Sequence, residues 1–91
     1  MSKVRKKLKV KNRLGLHARA AALLVQTVSR YEAEVTIAKD SQAVDGRSII
    51  GILTLGAAKG STMSIIADGT DAQKSMHAIE EIFEKRFHEG D

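Results

Sequence analysis

Apolar and polar positions alternate with a period of two at the start of the chain. Over residues 4–10, Leu8 and Val10 fall on one side and Lys7, Lys9 and Lys11 on the other, the pattern of a half-buried strand with a basic outer face. Asn12-Arg13-Leu14-Gly15 breaks this pattern. The period then changes: Ala21, Leu24, Val28 and Tyr31 recur at spacings of three and four, Leu23 and Val25 widen that face, and Gln26, Ser29 and Arg30 lie away from it. No glycine or proline interrupts the run, so a helix is predicted over residues 18–31. Alternation returns at 33–39, where Val35 and Ile37 are set between Glu34, Thr36 and Ala38. Asp40-Ser41 supplies turn residues before a short strand at 42–44, and the pair reads as a hairpin.

A short helix is predicted over residues 49–55, with Ser48 as its N-cap, Gly56 as its stop and Lys59-Gly60 turning the chain onward. Residues 62–67 form the next strand, with Met63, Ile65 and Ala67 facing one way and Gly69 ending it. Thr70-Asp71-Ala72-Gln73 has the spacing of a capping box. The last helix then runs to about residue 87, with Ala72, Met76, Ile79 and Phe83 on its core face and Ile82 beside them. His88-Glu89-Gly90-Asp91 is expected to fray. The order strand, helix, strand, strand, short helix, strand, helix predicts an α+β open-faced sandwich, an antiparallel or mixed sheet with its helices on one face.

Composition narrows the setting. The 91 residues suffice for one domain spanning 1–91, and the absence of cysteine excludes disulfides and thiolate metal sites. Neither a secretory leader nor an apolar run approaching the roughly 20 residues of a membrane span is visible, so a cytoplasmic protein is expected. The formal charge of +4 is concentrated before residue 14, in Lys3, Arg5, Lys6, Lys7, Lys9, Lys11 and Arg13. With only Tyr31, Phe83 and Phe87 as aromatics, base stacking is hard to arrange. The basic cluster therefore reads as a solvated strand face, and no nucleic-acid partner is expected.

Chemistry concentrates in Gly15-Leu16-His17-Ala18-Arg19-Ala20-Ala21-Ala22. A helix starting at or just after His17 puts the imidazole where unpaired backbone N–H groups and the positive end of the helix dipole collect anions. Arg19 adds a rigid fork of donors suited to phosphate oxygens. Together these groups point to a phosphoryl group carried on nitrogen. The sequence lacks ligands at metal spacing, and no metal or cofactor is expected.

Leu14-Gly15-Leu16-His17-Ala18-Arg19 resembles the active-site motif of the HPr family, the histidine-containing phosphocarriers of the bacterial phosphoenolpyruvate-dependent phosphotransferase system. Residues 47–60, RSIIGILTLGAAKG, resemble the family's second signature, at the family's usual separation from the first. The resemblance implies a four-stranded antiparallel sheet with three helices on one face, and a monomer. It also implies that His17 is phosphorylated on Nδ1 by phospho-enzyme I and passes the group to a histidine of an EIIA domain, while Arg19 pairs with the phosphate. Such a protein is a stoichiometric carrier in a relay that turns over no small molecule by itself. By the same resemblance, a serine kinase in some bacteria acts on Ser48, and Ala18, Ile49, Ile50 and Leu53 belong to the partner-docking surface. Ala20 departs from the family, which usually has proline there; alanine removes no chemical group but leaves the first helical turn less rigid.

Bland readings stand beside these. Ser48 is a good cap whether or not it is regulated. Ile49, Ile50, Ile52, Leu53 and Leu55 are too many apolar residues for one side of a short helix. Some must be exposed for docking, with core packing the alternative for Ile52 and Leu55. His77 and His88 read as solvated. The competing function is a regulatory binding protein acting through Ser48 and the apolar patch; family members specialised that way lack the active histidine, which this chain keeps.

Overall fold

A computed structural model describes residues 2–89. Four strands, β1 (Ser2–Lys9), β2 (Glu34–Lys39), β3 (Gln42–Asp45) and β4 (Thr62–Gly69), form one antiparallel sheet in the order β1-β4-β2-β3. Three helices, α1 (Ala18–Ser29), α2 (Ile49–Thr54) and α3 (Ala72–Glu84), accompany it. The open-faced α+β sandwich predicted from the pattern is the one observed. Alternation explains the inner face: Ile65 of β4 pairs with Ile37 of β2, and Met63, Ile65, Ala67, Val35 and Ile37 are all buried. Val10, Leu24, Val28, Ile52, Met76, Ile79 and Phe83 close the core from the other side.

Differences from the pattern have physical reasons. Lys11 does not join Lys7 and Lys9 on the outer face: β1 ends at Lys9, and Lys11 reaches Glu84 at the end of α3, with Nζ to Oε2 at 2.7 Å. Lys6, in register with Ile65, likewise donates to Glu80 of α3. Helix α1 stops at Ser29, two residues short of Tyr31, and Tyr31 is only half-buried in the following bend. The predicted capping box at Thr70 does not form. Asp71 is the N-cap of α3, and its carboxylate instead accepts from the backbone N–H groups of Glu32 and Ala33, both at 2.9 Å. That use pins the α1–β2 connection to the start of α3, a long-range demand which local spacing does not register.

The last helix also ends early, at Glu84, and Arg86–His88 make a separate left-handed turn that buries Phe87. Residue 89 does not fray. Gly90 and Asp91, the remainder of the expected tail, lie outside the described residues.

Candidate phosphoryl-carrier site

His17 is the N-cap of α1, in extended conformation, with its side chain about one-third exposed and making no bond to the helix end. The first helical bond runs from the Ala21 N–H to the His17 carbonyl at 2.8 Å, so the N–H groups of residues 18–20 have no partner within the helix. Ala20 thus stands in the first turn, where proline would break no helical bond, and its methyl is buried. Arg19 is exposed one turn position earlier. Ala18 is exposed beside them.

The loop that delivers His17 is fixed at its glycine. Gly15 has φ +69°, and its N–H donates to Asn12 O at 3.2 Å. Leu16 N then donates to Ala57 O at 2.9 Å, which ties the histidine loop to the segment following α2. Val10 pairs both ways with the same segment, N to Ser61 O at 2.9 Å and O from Gly60 N at 2.8 Å. The two sequence motifs are therefore joined by the Leu16–Ala57 backbone hydrogen bond, and Val10 holds the end of the second motif beside the start of the histidine loop.

At α2, Ser48 Oγ accepts from the Gly51 N–H at 2.9 Å, the predicted cap. Ser48→Ala is expected to lower stability by about 1 kcal/mol, a drop of roughly 4–8 °C in the midpoint of a thermal melt. Ile52 and Leu55 are buried, whereas Ile49, Leu53 and above all Ile50, 76% exposed, face outward. Leu14, 60% exposed in the histidine loop, is a further outward apolar residue that alternation gave no reason to single out. His77 and His88 are both exposed.

Two residues at the site escaped sequence reasoning. Asn12, read only as a strand breaker, is fully buried, and its Nδ2 donates to Gly15 O at 2.7 Å and to Glu89 Oε1 at 2.9 Å. Glu89 also accepts from His17 Nε2 through its other oxygen. Burial pushes the Glu89 carboxyl up. The hydrogen bonds from His17 and Asn12, with the charges of His17 and Arg19, outweigh that and hold it below its ordinary value. The available signal was Phe87, an apolar residue four positions after Phe83 that kept the chain on the core beyond the helix; the two rings meet with centroids 5.0 Å apart.

The family profile described as "PTS HPr component phosphorylation site" matches residues 4–85. The chain belongs to the HPr family. Its relatives include the phosphocarrier protein HPr of Xylella fastidiosa, 43% identical over 82 residues that cover 90% of this chain and 92% of that protein. The HPr-like protein Crh of Halalkalibacterium halodurans is 42% identical over 82 residues, covering 90% of this chain and 98% of Crh. Among solved structures, HPr-C-His from Thermoanaerobacter tengcongensis superposes with a TM-score of 0.91 at 36% identity, over 100% of both chains. Membership supports a phosphocarrier role in the phosphotransferase system, and the HPr fold is the α+β sandwich described above. Among the described residues, no helix is long and apolar enough to cross a membrane.

Proposed function

We propose that this chain accepts a phosphoryl group on His17 from phospho-enzyme I and hands it to a histidine of an EIIA domain. The observation that carries this reading is the placement of His17: an imidazole about one-third exposed at the start of α1, among N–H groups with no partner within the helix and two residues before Arg19. Phosphoryl transfer asks a protein mainly for in-line positioning and charge stabilisation, so a small open site suffices. The first-turn N–H groups and the Arg19 guanidinium supply donors for the phosphoryl oxygens.

Partner docking falls to the apolar surface of Ile49, Ile50 and Leu53, with Ala18 beside the histidine. Ile50→Ser is expected to leave the thermal midpoint within about 2 °C, because so exposed a side chain contributes little to folding. The same change should weaken binding to enzyme I or EIIA by about tenfold, the loss typical of a well-packed interface residue. Titration calorimetry reads this directly, and unchanged affinity would remove Ile50 from the docking surface.

Ser48 is the proposed target of a serine kinase. A phosphoserine there keeps the cap of α2, because the helix start favours negative charge, but adds about two negative charges beside the docking patch. The similarity to Crh keeps a second reading in view, a regulatory binding protein working through Ser48 and the apolar patch. The two separate cleanly: for the carrier, His17→Ala abolishes the biological output, whereas for the regulator Ser48→Ala does so and His17→Ala has no effect.

The relay itself is tested in a mixture of labelled phosphoenolpyruvate, enzyme I, this protein and a purified EIIA domain. Label should reach EIIA only when this chain is present. Equal transfer in its absence, or label that stops on this chain with every EIIA offered, would sink the proposal.

A further inference from the structure

Among the described residues, the turn after α3 is where three consecutive residues have positive φ. Arg86, Phe87 and His88 have φ of 53°, 53° and 59°, in a left-handed region costly to any residue with a Cβ. Such a run persists only where its surroundings over-determine it. Here two anchors do so: Phe87 is buried against Phe83, and the Glu89 carboxylate is held by Asn12 and His17. The outcome of the turn is to deliver one nearly buried carboxylate, 8% exposed, onto the imidazole of His17.

The bond between them has a direction. The Glu89 carboxyl is held below its ordinary range and is ionised near neutral pH, so it has no hydrogen to give, and His17 Nε2 must be the donor. A neutral imidazole carries a single N–H. With that hydrogen on Nε2, the lone pair lies on Nδ1.

We infer that Glu89 is a positioning residue for phosphoryl transfer: it holds the hydrogen on Nε2 of His17, orients the ring and leaves Nδ1 as the acceptor nitrogen. This rests on the reading of His17 as the phosphoryl carrier. In the accepting step, the Nδ1 lone pair forms the N–P bond while the bond from phosphorus to the donor breaks, its electron pair leaving with the donor. No proton leaves the ring. It becomes an N-phosphorylated imidazolium whose positive charge lies against the Glu89 carboxylate. In the donating step the Nδ1–P bond breaks and the ring leaves as neutral imidazole. Without the hydrogen on Nε2 it would leave as imidazolate, a far poorer leaving group. A carboxylate paired with the remote nitrogen of a histidine thus serves both halves of the relay. Glu89 lies beyond residues 4–85 matched by the family profile.

The test uses the full chain and its Glu89→Ala and Glu89→Gln variants. Nitrogen-15 NMR of the His17 ring, at a pH where it is neutral, reads the tautomer, and single-turnover labelling by phospho-enzyme I reads the rate. The wild type should show the Nε2–H tautomer alone. Glu89→Ala should show a mixture of both tautomers and accept phosphate about tenfold more slowly, the loss usual for a partner that orients a histidine. Glu89→Gln keeps an acceptor oxygen, and should recover the single tautomer and part of the rate. Glu89→Ala with a wild-type tautomer overturns the inference, whatever happens to its melting temperature or rate. Absence of label on the wild type would instead refute the carrier reading, and the tautomer measurement, which needs no phosphate, would still decide the role of Glu89.

Discussion

His17→Ala should take up no detectable phosphoryl group from phospho-enzyme I and yet remain folded. The side chain makes no bond to the end of α1, is partly open to solvent, and has one described hydrogen-bond partner, Glu89. Removing it leaves that carboxylate its bond to Asn12. The loss of one hydrogen bond to a charged group is worth about 1.5–3 kcal/mol, or a fall of roughly 6–24 °C in thermal midpoint for a domain of this size. His17 is not among the buried residues that join the sheet to its three helices. Circular dichroism with acid-labile phosphate labelling separates the effects: a native spectrum with no label is expected. Wild-type labelling of this variant would place the carrier atom elsewhere.

Gly15→Ala is the substitution with the largest expected structural cost. A Cβ there would lie 2.5 Å from the Ala57 carbonyl oxygen and 3.0 Å from the Ala58 Cα, both backbone atoms, and φ of +69° is already unfavourable for alanine. Neither strain is relieved by turning a side chain, so the histidine loop must part from the segment after α2. That movement endangers the Leu16–Ala57 hydrogen bond that seats His17. The left-handed conformation and the backbone clash together should cost about 3 kcal/mol or more, lowering the melting midpoint by at least about 12 °C. Phosphate acceptance should slow as well, because the carrier nitrogen moves away from its donors. A melt within about 2 °C of wild type would show that Gly15 does not hold this loop.

What the sequence revealed and what it hid follow from the range of the forces involved. Helix α1 and strands β2 and β4 were legible because their periods repeat several times within one element, as with Val35 and Ile37 or Met63, Ile65 and Ala67. The N-cap of α2 was legible because its partner, Gly51, is three residues away. Asp71 was misread for the opposite reason. Thr70 and Gln73 offered a local cap, but the structure spends Asp71 on N–H groups 38 and 39 residues distant. Lys11 was placed by extending an alternation past the end of its strand. Glu89 was the greatest loss. Its partners lie 72 and 77 residues away, and a polar residue after the last helix, followed by glycine, carries every local sign of a loose end. Only Phe87 hinted that the chain was still bound to the core.

We propose that His17 carries the phosphoryl group. Phosphorus-31 and nitrogen-15 NMR of the protein, labelled with nitrogen-15 and phosphorylated by enzyme I and phosphoenolpyruvate, test it most directly. One phosphorus signal, coupled to Nδ1 of His17, is expected. A phosphate ester on Ser48, a phosphoryl group on His77 or His88, or no phosphorus signal at all would contradict it.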